Sequence, residues 1–270
     1  MTDGAEARTT GGRFADRVAF VTGAGSGIGR AAALGLAREG AKVAAVGKTE
    51  ERLREAVAEM EGAGGEAAPF VADIGDEAAV VAAIEGTVER WGRLDVVVAN
   101  AGFNGLWAPL EELPLDEWER TLRGNLTGTF LTVKHAVPHL KRQGGAVVVT
   151  SSVNGTRNFG NTGASAYSTA KAGQVAFAKM VALELAPSKV RVNVICPGAI
   201  STNIGQSTER RGIEAVKMPV EYPKGWHPLR GGPGTPEQVA KLILFLASDD
   251  ADHITGTEMW IDGGEALMVG

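Results

Sequence analysis

Tyr167 is one of only two tyrosines in the 270 residues, and Lys171 follows it four positions later. Residues at i and i+4 share one face of a helix, about a turn apart. A phenol and an ammonium held there are coupled: the cation favours the phenolate and lowers the tyrosine pKa from about 10. Such a pair can give and take a proton near neutral pH. The pattern is short and recurs by chance, so its meaning rests on what the chain places around it.

The elements that must position the pair alternate along the whole chain. Residues 17–21 are an apolar run of strand formers. Thr22, Gly23, Ala24, Gly25, Ser26, Gly27, Ile28 and Gly29 follow, then an Ala/Leu-rich helical stretch to 39. The glycines at 23, 27 and 29 form GxxxGxG rather than the literal GxGxxG. Glycine lets a backbone approach a pyrophosphate closely, and the free N–H groups and dipole of a helix start favour an anion. Residues 42–46 read as a second buried strand. Dinucleotide folds put an acid at the end of that strand, on the adenosine ribose. Here the place holds Gly47 and Lys48. No carboxylate repels a 2′-phosphate and Lys48 attracts one, which leans towards NADP(H), with NAD(H) as the alternative.

Further strands are expected at 67–72, 94–99, 145–150, 190–196 and 257–261. Asp73 and Ile74, then Asn100, Ala101 and Gly102, then Ser152, then Pro197 and Gly198 all stand just past strand ends. Asp76 is a plausible cap for a helix over 76–91. Residues 107–112 read as a loop or short helix. From Asp116, the apolar residues Trp118, Leu122, Leu126, Phe130, Val133, Val137 and Leu140 predict one long helix with a continuous stripe. Asn125 falls in its middle, a position usually on a helix surface. The tyrosine helix runs to about 186. Thr235 and Pro236 start another, to about 248. Residues 201–232 mix Gly, Pro, Met, Trp and charges with weak periodicity, and read as a mobile lid over the pocket.

This order gives an α/β fold: a single Rossmann-like domain over 14–264, with a doubly wound parallel sheet of about seven strands flanked by helices. A disordered tail (1–13) precedes it and a C-terminal tail (265–270) follows. Ligands of such sheets bind outside the C-terminal ends of the strands, where the residues singled out above all lie. Phe103, Trp107, Asn154, Phe159, Ile200 and parts of 203–230 are expected around the substrate. That mix suits a medium-sized, mostly neutral molecule. Arg157 is read as a solvated loop arginine, with contact to an anion as the alternative.

Composition excludes several classes. The chain is 44% hydrophobic and 22% charged with a net charge of −5, both signs spread along it. Neither nucleic acid nor an anionic membrane is indicated as a partner. The apolar run at 242–247 is far too short to span a bilayer, and residues 1–12 carry no signal-peptide core. The single cysteine, Cys196, sits in an apolar run; it cannot form an intrachain disulfide and suggests a cytoplasmic location. The four histidines have no partners at metal-ligand spacing, so no metal is expected.

At this point the sequence resembles the short-chain dehydrogenase/reductase family, over about residues 14–264. Thr22, Gly23, Gly27, Ile28 and Gly29 are similar to its cofactor turn, Asp73 to its adenine-contacting residue, and Asn100-Ala101-Gly102 to its fourth-strand motif. Asn125, Ser152, Tyr167 and Lys171 resemble its catalytic tetrad; Pro197, Gly198 and Thr202 resemble its nicotinamide-side motif. Ser152 stands slightly farther before Tyr167 than usual, which leaves Ser151 as the alternative serine. Ser26 stands where many NADP-users carry arginine, so the cofactor preference rests on Gly47 and Lys48. The resemblance implies hydride transfer between a nicotinamide and a carbonyl or secondary alcohol. Tyr167 would donate the proton, Lys171 would lower its pKa and bind the nicotinamide ribose, Ser152 would hold the substrate oxygen, and Asn125 would anchor a water linking Lys171 to solvent. The expected activity is that of an NADPH-dependent ketone reductase. The alternatives are an NAD-dependent dehydrogenase of a sugar or steroid alcohol and, more remotely, a non-catalytic dinucleotide sensor. The family also implies a homotetramer or dimer, packed through helices 116–141 and 167–186, with the apolar stretch 266–269 as a further contact.

Overall fold

The structure, a computed structural model, describes residues 12–216 and 227–269. Its middle layer is a seven-stranded parallel sheet: β1 (Val18–Thr22), β2 (Lys42–Gly47), β3 (Glu66–Val71), β4 (Val96–Ala99), β6 (Gly145–Thr150), β7 (Val190–Pro197) and β9 (Glu258–Ile261). The spatial order is β3-β2-β1-β4-β6-β7-β9. The central strands β1 and β4 are buried along their whole length. That is why they read as unbroken apolar runs: helices cover both faces of a parallel sheet. Pro69 is tolerated because β3 is an edge strand.

One face packs against α1 (Gly27–Arg38), α2 (Glu50–Gly62) and α7 (Pro236–Ala247), with Leu36, Val43, Leu53 and Ile243 in that core. The other packs against α3 (Glu77–Trp91), α5 (Gly128–Leu140) and α6 (Ser165–Leu185), around Ile84, Leu94, Leu140 and Leu185. Asp76 caps α3 by accepting from Ala78 N and Ala79 N, and Thr235 with Gln238 forms a capping box on α7. Strand order reverses between β1 and β4, which opens a crevice past their C-terminal ends.

Three expectations are corrected. The long helix from 116 is not continuous: α4 (Leu115–Leu122) and α5 are joined by a π-helical segment, Arg123–Thr127. The wider turn rotates Asn125 inward, and it is fully buried rather than on the helix surface. Of the stretch 107–112, Leu110–Glu112 form the expected short helix, but Trp107 does not belong to it and is extended with residues 105–106. These three residues form β5 (Gly105–Trp107), which pairs in parallel with β8 (Thr208–Arg210) and so ties the described part of the expected lid to the rim of the cleft. Past residue 264, Glu265 and Ala266 are buried and α8 (Ala266–Val269) follows. The rest of the lid (217–226), residues 1–11 of the expected tail and Gly270 lie outside the described residues. Phe14, where the domain was expected to begin, is fully buried in the core. No helix among the described residues is long and apolar enough to cross a membrane.

Candidate active site

The C-terminal ends of the strands open into a cleft of about 940 Å³. Past β1, the turn into α1 needs left-handed backbone at Gly23 (φ 71°) and Gly27 (φ 53°). Gly23, Ser26, Gly27 and Ile28 line the cleft, and Thr202 packs against Gly27 from the opposite side. Gly25 and Gly29 do not line it. Gly25 backs onto Arg52, and a Cβ at Gly29 would sit 2.3 Å from Gly23 O, so its bareness serves the close approach of turn and helix. Thr22 fixes the turn to β4: its hydroxyl oxygen accepts from Asn100 N (2.9 Å) and Ala101 N (3.0 Å), while Asn100 Nδ2 donates to Thr22 O.

Past β2 and β3, Gly47, Lys48, Asp73 and Ile74 line the far end. Lys48 Nζ lies 2.8 Å from Asp73 Oδ2, and Gly75 N donates to Asp73 Oδ1 at 2.9 Å. Burial opposes ionisation of Asp73, but these two bonds and the charges of Lys48 and Arg123 hold its carboxyl below the usual range. Past β4 and β7 come Asn100, Ala101, Gly102 and Phe103 on one side and Pro197, Gly198 and Ile200 on the other.

Ser152, Tyr167 and Lys171 are all buried at the wall of the cleft. Burial raises the Tyr167 phenol to about 12, against a hydrogen bond with Ser152 that lowers it. Burial lowers Lys171 to about 8. Its Nζ donates to Thr150 O at 2.9 Å and lies 5.6 Å from the Tyr167 ring centre. The expected lowering of Tyr167 by Lys171 is therefore not what the protein alone produces: desolvation dominates at both groups, outweighing the Ser152 hydrogen bond at the phenol. Ser152 meets the phenol, whereas the hydroxyl of Ser151, also at the cleft, donates to Lys171 O at 2.8 Å.

Asn125 does not reach the cleft. Its Nδ2 donates to Phe103 O (3.0 Å) and Thr121 O (2.9 Å), and its Oδ1 accepts from Phe103 N (3.1 Å). Both amide protons are spent on backbone, so the side chain clasps the Gly102–Phe103 floor. Trp107 and Asn154 line the cleft, but Phe159 is 71% exposed outside it. Arg157 also lies outside, stacked 3.6 Å over Trp260. Cys196 is buried, and burial pushes its thiol up to about 11, the behaviour of an inert core cysteine.

Sequence reasoning missed Arg52, Asn104, Arg120 and Arg123 in the lining, while Asn203, Ile204, Gln206 and Ser207 come from the expected stretch 203–230. Asn104 had a signal, being two residues past the Gly102 turn; it donates to Thr208 Oγ1 at 2.7 Å. The arginines project from helices, where nothing local marks a cleft-facing cation. The residues fit a dinucleotide: left-handed glycines at a helix start, cations at one end, and bare positions at the other. A Cβ at Gly102 would lie 2.5 Å from Asn125 Oδ1, and one at Gly198 2.6 Å from Asp262 Cβ.

Comparison with known proteins agrees with this geometry. The family described as enoyl-(acyl carrier protein) reductase matches residues 23–265. A 3beta-hydroxysteroid dehydrogenase of Mediterraneibacter gnavus is 39% identical over 266 residues, covering 94% of this chain and 96% of that protein. The 3-oxoacyl-[acyl-carrier-protein] reductase FabG of Thermotoga maritima is 37% identical over 253 residues, covering 93% and 98%. The crystal structure of a 3-ketoacyl-ACP reductase from Sinorhizobium meliloti 1021 superposes with a TM-score of 0.89 at 51% identity, over 93% of this chain and 99% of that one. A glycine turn at the sheet's crevice, a tyrosine and lysine buried on one helix wall and relatives matching end to end leave one assignment: the chain belongs to the short-chain dehydrogenase/reductase family, nicotinamide-dependent oxidoreductases of alcohol and ketone groups.

Proposed function

We propose that the protein is an NADPH-dependent reductase of a medium-sized, mostly neutral ketone. The observation that carries the reading is the buried contact of Ser152 with Tyr167 at the cleft wall, backed by Lys171 one helical turn away. Phe103, Trp107, Ile200 and Ile204 with the amides Asn104, Asn154 and Gln206 offer an apolar seat with few charges at that end.

A bound nicotinamide supplies or accepts the hydride. The chain's own part is to orient and to move a proton. Tyr167 donates its phenolic proton to the oxygen of the reduced carbonyl. Ser152 donates a hydrogen bond to the same oxygen as charge develops on it, a contribution of about 3–4 kcal/mol. Lys171, pinned to Thr150 O, sets a positive charge behind the phenol; with water excluded it favours the phenolate left after transfer. Asn125 keeps the floor in place. Tyr167→Phe is expected to cut turnover by roughly 10²–10⁴-fold with dinucleotide binding intact. Retention of more than about a tenth of the wild-type rate would sink the assignment.

For the cofactor, Lys48 and Arg52 at the far end favour a 2′-phosphate. Lys48→Ala should weaken NADPH binding about tenfold and leave NADH nearly unchanged, as expected for loss of a charge-assisted phosphate contact. Equal NADPH affinity in both proteins removes Lys48 from the argument. The second reading is an NAD-dependent dehydrogenase of a sugar or steroid alcohol. It is favoured by the Lys48–Asp73 ion pair, which occupies the cation a 2′-phosphate would need. Tighter NADH than NADPH binding in the wild type would select it. The proposed setting is the cytoplasm, as a dimer or tetramer packed through α5 and α6, where Phe130, Met180 and Leu183 are exposed.

A further inference from the structure

Gln174 lies on α6 one turn past Lys171 and is fully buried. Its Nε2 donates to Asn125 O at 3.1 Å and to Thr129 Oγ1 at 2.7 Å. The Thr129 hydroxyl donates to the same Asn125 O at 2.8 Å. Gly128 N is directed at the same carbonyl, so Gln174 and Thr129 share it with a backbone donor in the segment where the π turn interrupts the ordinary ladder. From Asn125 the contacts continue to the cleft: its side chain brackets Phe103 N and Phe103 O, and a Cβ on the adjoining Gly102 would lie 3.5 Å from Lys171 Nζ. One helix thus presents Tyr167 and Lys171 to the cleft and, a turn further on, grips the segment that holds the cleft's floor. Gln174 Oε1 is buried with no partner among the described residues. A leucine or methionine would fill the same volume without that unpaired oxygen, so packing alone does not account for a glutamine here.

We propose that Gln174 is a positioning residue for the redox chemistry: by donating to Asn125 O it locks the π turn in the arrangement that clasps Gly102 and Phe103 against Lys171. This rests on reading the cleft as the reaction site. Gln174 itself touches neither substrate nor cofactor.

The test uses Gln174→Leu, which keeps the volume and deletes both donors, with Asn125→Ala and the double variant. Turnover is read with cyclohexanone and further neutral cyclic ketones, NADPH and NADH each being supplied. Hydrogen exchange at the Phe103 amide is read in the same proteins without cofactor. The expected result is a fall in kcat of about tenfold, since small misplacements of reacting groups are costly. Dinucleotide Kd should stay within about twofold, the melting temperature should be unchanged or raised, and Phe103 exchange should be faster. Because Gln174 acts through Asn125, the double variant should lose no more kcat, and exchange no faster, than Asn125→Ala alone. Wild-type exchange at Phe103 in Gln174→Leu, or effects that multiply in the double variant, would overturn the proposal. If Gln174→Leu does not fold, Thr129→Val removes the companion donor and is held to the same outcomes. Tyr167→Phe in the same assay separates the two layers. An active Tyr167→Phe enzyme defeats the reading of the site; an inactive one beside a fully active Gln174→Leu enzyme defeats only the role of Gln174.

Discussion

Lys171→Met isolates the cost of burying an ammonium at the site. Lys171 is 3% exposed, donates to Thr150 O at 2.9 Å, and has its pKa lowered by burial from 10.5 to about 8. Below pH 8 the group is charged in both the folded and the unfolded chain, and the folded state carries the whole desolvation penalty. Between pH 8 and 10.5 the folded chain releases its proton first. The unfolded state then binds more protons, so stability rises with pH across that window. The whole shift is worth about 3 kcal/mol, of which about 2 kcal/mol is recovered between pH 7 and about pH 9.5. Methionine keeps the length and removes the charge. It also leaves Thr150 O without its donor, a pH-independent loss of about 1–3 kcal/mol. At pH 7 the two effects nearly cancel, and the variant should melt within a few degrees of the wild type. At pH 9.5 the wild type should have gained about 2 kcal/mol on the variant, or roughly 4–8 °C in Tm for a chain of this size. Tyr167 is common to both proteins, so its titration cancels in the difference. Thermal or urea unfolding of the cofactor-free proteins from pH 7 to 9.5 makes the measurement. A difference that stays flat across this range, or a variant that gains on the wild type as pH rises, refutes the buried-ammonium argument.

Two further outcomes follow from contacts on either side of the cleft. Gly102→Ala puts a Cβ 2.5 Å from Asn125 Oδ1; it should destabilise by about 1–3 kcal/mol and slow turnover, as overpacking does, and an unchanged Tm with full kcat would contradict the clasp. Phe159→Ser alters a side chain that is 71% exposed and outside the cleft; KM should stay within about twofold, and a large rise would return Phe159 to the substrate pocket.

Most of the cleft was legible because β1, β4, β6 and β7 are buried on both faces. Unbroken apolar runs mark their ends, and the residues just beyond those ends all open on one edge of the sheet. Asn100, Ser152 and Pro197 were found in this way, Lys48 past β2 and Asp73 past the part-exposed edge strand β3, and all five line one cleft. Asn125 was located by resemblance, but its burial was not foreseen. The π turn inserts a wider step into a helix that otherwise keeps its stripe. In retrospect the three successive spacings of four between Trp118, Leu122, Leu126 and Phe130 carry the signal, since an ordinary helix averages about 3.6 residues per turn. The β5–β8 pair was invisible for a different reason. Strands of three residues are too short to show a period, and pairing of Gly105 with Thr208 is a long-range contact with no local cause. Phe159 failed because an aromatic near a strand end was taken for a pocket residue, although residue type alone does not fix the direction of a loop side chain.

Several of the costs in this molecule are gathered around the cleft, though His139 Nδ1 at the far end of α5 is another. Among the described residues, the buried side-chain polar atoms without a partner include Thr150 Oγ1, Gln174 Oε1, Thr121 Oγ1 and Trp107 Nε1. Thr150 and Trp107 line the cleft, while Thr121 O and Gln174 both bond Asn125. The buried ammonium of Lys171 and the buried phenol of Tyr167 stand among them. Each would be cheaper as an apolar side chain, and native structures keep few such atoms. Their concentration beside one helix wall is what a site needs if it is to move pKa values: the burial that leaves an oxygen unpaired also takes Lys171 down and Tyr167 up. The sheet tolerates this because two apolar cores run the length of its strands on both faces, and their buried residues meet the cleft only at the edge, at Ala72 and Ile74. Substitutions that remove the buried polar groups beside Asn125 and Lys171 should therefore stabilise the chain only where they also disarm it.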